Sequence, residues 1–230
     1  MQIYRKISSG HKIQQDLNCR TILFSHLCFV KNFILCIQVI FTDESMLETL
    51  EVRAKFVRRK PGQQLQPDCL QDTVKHPAKL MIWGCISAHG TGRLQPIEGI
   101  MNSEKYLEVL HKRFMPQLLD WYADGSGILM HDGAPCHRSR QVTAYLDEAG
   151  LEVLPWPGNS PDLNPIEGIW KILKDKVNRT AATNRRELTE RIVQVWHHDR
   201  SIVDLAAAYI RDMPKRIDAV IKAKGGATKY

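Results

Sequence analysis

At 230 residues, with 43% apolar and 25% charged residues, the chain has the composition of a globular protein able to bury a proper core, which excludes global disorder. The net charge of +7 is unevenly spread: +4 over residues 1–40, −4 over 41–170 and +7 over 171–230. An acidic middle before a basic end suits a metal-binding centre beside a polyanion-binding surface, and equally suits a solvated basic face with no partner.

Residues 21–41 form the longest apolar run, but Lys31 and Asn32 interrupt its middle and His26 and Gln38 lie within it. A central Lys costs about 3 kcal/mol on insertion into a bilayer, and no small-residue cleavage site follows, so neither a membrane span nor a signal peptide is expected. The end of the run reads better as a buried strand over residues 35–42. Residues 54–59 alternate like a strand and end at the turn pair Pro61-Gly62, and LMIWGCIS (80–87) is a compact apolar strand closed by His89-Gly90. Asn102 or Ser103 can cap a helix with the stripe Leu107, Leu110, Phe114 and Leu118, kinked by Pro116. A short strand at 127–130 leads into HDGAPCH, residues 139–149 read as a helix closed by Gly150, and residues 151–154 as another strand. After Pro165 the pattern is helical nearly to Gly225-Gly226. Strands, then strand–helix alternation, then helices predict an α/β domain with a helical C-terminal extension.

The six cysteines (Cys19, Cys28, Cys36, Cys69, Cys85, Cys136) make no C-x-x-C pair, which points to a reducing compartment rather than a disulfide scaffold. Cys136 and His137 have no second ligand pair at zinc-site spacing.

Three acidic residues share a context. Asp43 ends the strand in VIFTDES, Asp132 ends the strand in ILMHDGAP, and Glu167 opens a helix in SPDLNPIEGIW. Carboxylates at strand ends and helix starts project from one edge of an open α/β sheet, and convergent carboxylates are what Mg²⁺ needs. Each has a plainer reading. Asp43 could be a turn residue with Glu44 the functional acid; strand alternation puts Val39, Phe41 and Asp43 on one face and Ile40, Thr42 and Glu44 on the other, which does not settle the choice. Asp132 before Gly133 could be a simple Asp-Gly turn. Glu167 falls at the capping-box position behind Asn164 and Pro165. Along its helix Ile166, Ile169, Trp170, Leu173 and Val177 form an apolar stripe, while Lys171 and Lys174 flank Glu167, either as phosphate ligands or as a solvated face.

VIFTDES, LMIWGCIS, the stretch 92–102, HDGAPCH, WPGNSPDLNPIEGIW and IKAKGGATKY together resemble Tc/mariner transposases, from about Val39 to Tyr230. The 34 residues between Asp132 and Glu167 match the Tc-type branch. The resemblance implies a ribonuclease-H-like mixed sheet flanked by helices, with Asp43 on the first strand, Asp132 after the fourth and Glu167 on a later helix. It implies that these three hold two Mg²⁺ ions, with Mn²⁺ able to substitute, for DNA nicking at transposon ends and joining of 3′ ends to a TA target. DNA is the implied partner, contacted by Lys171, Lys174, His137 and Arg138; a homodimer or contact with full-length transposase, and a nuclear location, follow from the same resemblance.

Two departures stand out. Gly133 replaces the Asn that the family usually has after its second Asp, which is expected to weaken activity. The resemblance covers residues 39–230 as the catalytic domain, whereas residues 1–38 match nothing in the family. They are expected to pack poorly, to form no helix-turn-helix, and so to supply no recognition of transposon ends. Two other readings stay open. One is an inactive remnant that binds nucleic acid or partner subunits; the other is an unrelated metallohydrolase built on Asp132, His131 and His137.

Overall fold

The computed structural model describes residues 33–48, 62, 79–156, 160–178, 182, 184–224, 226 and 228–229. Residues 1–32 and the predicted strand at 54–59 lie outside the described residues.

A short helix α1 (Phe33–Gln38) runs directly into strand β1 (Val39–Glu48). The strand expected from residue 35 therefore starts four residues later, because an unbroken apolar run carries no signal for where a helix yields to a strand. No helix of the described residues is long and apolar enough to cross a membrane. Strands β2 (Lys79–Ser87) and β3 (Gly90–Ile97) follow as a hairpin. The sheet order is β3-β2-β1-β4, where β4 spans Ile128–Met130. β1 is antiparallel to β2, with Asp43 opposite Gly84, and parallel to β4, with Phe41 opposite Met130.

Helix α2 (Ser103–Val109) is capped by the Asn102 side chain, which accepts from the Lys105 N–H. It continues through a π-helical turn (Leu110–Phe114) into α3 (Met115–Trp121). Pro116 has no N–H for the carbonyl four residues back and its ring crowds that turn, and the wider π-turn is how the helix absorbs it. The insertion also shifts the buried face, so that Tyr106 and Val109 are buried at the start of the stripe while Leu107 is partly exposed. Helix α4 (Arg140–Glu148) is capped by Ser139. Gly150 turns the chain after it at φ +63°, a conformation that disfavours other residues. The strand expected at 151–154 reduces to a bridge, Val153 to Leu129 on β4. Four helices complete the described chain: α5 (Pro165–Val177), α6 (Arg185–His198), α7 (Arg200–Arg211) and α8 (Met213–Lys222).

Strand alternation divides the core between the two faces. Val39, Phe41, Ile82, Ile86 and Met130 pack with the helices of the C-terminal half, whereas Ile40, Trp83, Cys85 and Leu129 pack with α2, α3 and α4. The result is a three-layer helix–sheet–helix arrangement. Trp170 of α5 lies over β2, its ring stacked on Trp196 of α6 at 4.9 Å between centroids. Gly84 makes room for it: a Cβ there would sit 2.7 Å from Trp170 Cη2 and 3.2 Å from Trp196 Cζ2. Both indoles are fully buried and neither can retreat without opening the core. Gly84→Ala is therefore expected to destabilise the fold by about 1–3 kcal/mol. Gly133→Ala, whose new Cβ would meet nothing nearer than 3.9 Å, should stay within about 1 kcal/mol of the parent. Urea unfolding of the two variants checks this.

Candidate active site

The parallel register puts Asp43 and Asp132 on adjacent parts of the sheet. Phe41 and Met130 are its last partners; two residues further on Asp132 has left β4, whereas Asp43 is still in the middle of β1, opposite Gly84 of β2. Glu167 lies in the first turn of α5. Asp132 follows a strand and Glu167 opens a helix, as expected, but Asp43 does not end its strand, because the pairing with β2 continues through Glu48.

Asp43 is the most constrained of the three. Its Oδ2 accepts a 3.0 Å hydrogen bond from Trp170 Nε1. Burial first, then the negative charges of Glu167 and Glu44, push its carboxyl up to about 8, and the Trp170 hydrogen bond only partly opposes them. Glu167 is an immediate electrostatic neighbour of Asp43. Burial raises its own carboxyl, and the Lys174 ammonium two turns further along α5 counters this. The capping-box alternative for Glu167 is not realised. The Asn164 side chain caps α5 through the Ile166 N–H, while the Asn164 N–H that Glu167 would have to bond is donated to the Pro161 carbonyl at 3.1 Å.

Asp132 combines its two readings. Its Oδ1 accepts from the Ala134 N–H at 2.9 Å, which is the turn. The same Oδ1 lies 2.8 Å from His137 Nδ1. The His137 hydrogen bond, with the Ala134 N–H, holds the carboxyl below its usual range despite partial burial. Oδ2 has no partner among the described residues and Asp132 is exposed.

Glu44 does not point away from the site, as strand alternation alone would suggest. Its Oε1 is 3.4 Å from His137 Nε2, so His137 lies between Glu44 and Asp132. His137 is 4% exposed, and its ring packs on Tyr106 at 4.0 Å and on His131 at 5.1 Å. The expectation that His137 contacts phosphate does not fit this placement: the imidazole is spent inside the protein. Burial pulls its pKa down, but hydrogen bonds to Asp132 and Glu44 and the Glu44 charge outweigh that and raise it to about 10. His131 is bonded to the Tyr106 hydroxyl at 2.8 Å, and burial and the neighbouring His137 charge lower it to about 4. Arg138 and Lys171 are exposed, and Lys174 is partly so. Asp162 is held away from the acids by the C-terminal residues: Thr228 Oγ1 donates to Oδ2 and Arg216 Nη1 to its carbonyl.

Among the described residues no three His, Cys, Asp or Glu side chains are gathered closely enough to hold an ion as they stand. The His-lined site that a metallohydrolase would need is therefore not assembled there. The acidic residues nonetheless suit a hard divalent cation: the donors are all oxygen, Asp43 is crowded by like charges that a cation would neutralise, and Asp132 keeps one oxygen without a partner.

A mixed sheet in the order β3-β2-β1-β4, with one acid on β1, another just after β4 and helices on both faces, is a ribonuclease-H-like fold. Solved structures agree. A Mos1 transposase paired-end complex with the left transposon end superposes with a TM-score of 0.78 over 98% of this chain and 69% of that one, at 18% identity. The catalytic domain of Mos1 mariner transposase gives 0.72 over 96% of this chain and 100% of that one, at 16% identity. The family model described as DDE superfamily endonuclease matches residues 38–189. The Tcb2 transposase of Caenorhabditis briggsae is 31% identical over 197 residues, 83% of this chain and 70% of the relative. The Tc1 transposase of Caenorhabditis elegans is 31% identical over 194 residues, with the same shares. The chain belongs to the DDE superfamily endonucleases, as a Tc/mariner transposase catalytic domain.

The sequence alone does not single out Gly84, Trp170 as a donor to Asp43, or His137 as a holder of Asp132, and it offers Glu44 only as an alternative to Asp43. The WGC and IEGIW segments contain two of them, but as ordinary core residues.

The raised Asp43 pKa has a stability consequence of definite sign. Between about 4 and 8 the folded protein holds a proton on Asp43 that the unfolded chain has released, so this group's contribution is fully present at low pH and is lost as pH rises through about 8. In metal-free buffer Asp43→Asn should match the parent near pH 4 and melt several degrees above it near pH 8. Thermal unfolding across that range checks the difference.

Proposed function

We propose that this domain cleaves DNA strands and transfers the freed 3′ ends, using Asp43, Asp132 and Glu167 with divalent cations. The observation that carries the reading is the placement of Asp43 on β1, next to the parallel strand β4 that Asp132 follows, with Glu167 coupled to Asp43 from α5. The three carboxylates would hold two Mg²⁺ ions, with Mn²⁺ as a substitute. Bound there, such ions supply activation of a water or DNA 3′-hydroxyl and charge stabilisation of the leaving oxygen in an in-line phosphoryl transfer. Support for the metals comes from Mos1 structures described with Mg and with Mn.

The chain's own residues do the rest. Trp170 fixes one Asp43 oxygen and so leaves the carboxylate a single orientation. Glu167 stands at the positive end of α5, which favours its ionised form beside a polyanion. Lys171, Lys174 and Arg138 are the phosphate contacts we assign, and phosphate contacts position DNA without reading its sequence. Transposon ends and a TA target are the DNA partners we infer, with a second copy or a full-length transposase as the protein partner. The Mos1 complexes with transposon ends and after strand transfer support that inference. Action on chromosomal DNA would put the protein in the nucleus.

The test is nicking of supercoiled plasmid. Nicking should need Mg²⁺ or Mn²⁺, vanish with chelator, and fall to the no-metal level in Asp132→Asn and Glu167→Gln, while DNA binding persists or strengthens. Single changes of Lys171, Lys174 or Arg138 to Ala should lower the salt dependence of binding by about one charge each. Gly133 favours a second reading, an inactive remnant that still binds DNA. Its backbone is not in the left-handed region and a Cβ there would meet only the Arg138 guanidinium, at 3.9 Å. Gly133→Asn should therefore fold normally and increase nicking. Binding without nicking in both the parent and Gly133→Asn overturns the catalytic reading.

A further inference from the structure

We propose that His137 is the positioning residue for Asp132: its Nδ1–H fixes one carboxylate oxygen, Glu44 holds the far side of the ring, and the second Asp132 oxygen is left directed to a cation. The inference rests on the metal-dependent reading of the site and names the part of the protein that prepares it. Four observations carry it. Nδ1 is 2.8 Å from Asp132 Oδ1 and 3.2 Å from the Asp132 carbonyl oxygen, and Oδ1 also takes the Ala134 N–H, so Oδ2 remains without a partner among the described residues. Nε2 is 3.4 Å from Glu44 Oε1, an ion-pair contact in which neither buried atom has a hydrogen-bond partner among the described residues. The ring packs against two neighbours, Tyr106 at 4.0 Å and His131 at 5.1 Å and almost parallel to it. Finally, the imidazole is 4% exposed whereas the Asp132 side chain it holds is 53% exposed.

The burial contrast decides the direction of the effect. An exposed carboxylate at a strand end rotates freely about two torsions unless something rigid holds it. A buried, stacked imidazole is rigid, and Glu44 sits on the opposite strand face from Asp43, so it reaches the site through the ring. Carboxylates and imidazoles outside the immediate ligand set typically contribute about 10–100-fold in metal affinity when they orient a ligand.

Two readouts test this on the 230-residue chain. In metal-free protein, proton NMR should show a slowly exchanging, strongly deshielded imidazole N–H that disappears in Asp132→Asn and in His137→Leu. Mn²⁺ binding, followed by the paramagnetic signal of the free ion, should weaken about 10–100-fold in His137→Leu. His137→Asn, whose side-chain amide nitrogen can occupy the Nδ1 position, should restore affinity to within about threefold of the parent. His137→Gln, which mimics Nε2 instead, should not. Urea unfolding of all three identifies any variant that has merely lost its fold, and the comparison of Asn with Gln is then made at equal stability. Parent-like Mn²⁺ affinity in folded His137→Leu overturns the positioning role and leaves the metal reading intact. Equal losses in folded Asn and Gln variants overturn it as well. A parent that shows the deshielded proton but binds no Mn²⁺ overturns the metal reading and the positioning role with it.

Discussion

The contact on which the site depends is the hydrogen bond from the Trp170 indole to Asp43, made across the space where Gly84 has no side chain. Opposite Asp43 in the antiparallel register, any larger residue would hold the indole off the sheet. With Gly84 there, Trp170 lies flat, stacks on Trp196 and reaches the carboxylate. The contact also sets the rotation and axial position of α5. Glu167 precedes Trp170 by three residues, and residues at that spacing share a helix face. Seating the indole therefore brings Glu167 to Asp43. Trp196 is anchored in turn, its Nε1 donating to the Gly92 carbonyl at 2.7 Å on β3. One small residue in the middle of the sheet thus determines where an acid on a distant helix ends.

The sheet supplies the other half. Only three residue pairs join β1 to β4, the last of them Phe41 with Met130, two residues before each aspartate. A buried Thr42 adds a side-chain bond to the Met130 carbonyl at 2.9 Å, bracing the short ladder next to the acids. The two aspartates are then restrained by aromatic N–H donors from different layers, an indole from the C-terminal helices and an imidazole packed on α2. The indole is neutral, the imidazole with its raised pKa is a cation, and neither occupies the outer oxygen of Asp132.

Much of this was legible in the sequence, and the rest was hidden for identifiable reasons. LMIWGCIS reads as a strand because apolar β-formers run unbroken between turn residues, and the Ser139 cap with Gly150 brackets α4 as expected. The start of β1 was misplaced because residues 35–42 are apolar under either periodicity. The π-turn before Pro116 was foreseen only as a kink, since sequence shows the missing N–H but not how a helix accommodates it. The three acids were visible through their motifs, although Glu167 kept two readings until the Asn164 N–H was found bonded to Pro161. His137 was misread as a surface group because nothing local to HDGAPCH reports Tyr106, 31 positions upstream, against which the ring is buried. Contacts across layers leave no periodic trace.

The packing of Trp170 on Trp196 also bears on how copies of such a domain decay. The three acids all occur by residue 167, whereas the stacking partner lies at 196 and the Tyr209 ring that fills the space beside Gly168 lies later still. A copy interrupted between Val177 and Trp196 would retain every acid of the motif, and a motif search would score it as intact. It would nonetheless lack the surface that seats α5, and its indole would have nothing to stack against. The seat of α5 is therefore lost in such copies downstream of the motif, while every acid of the motif remains.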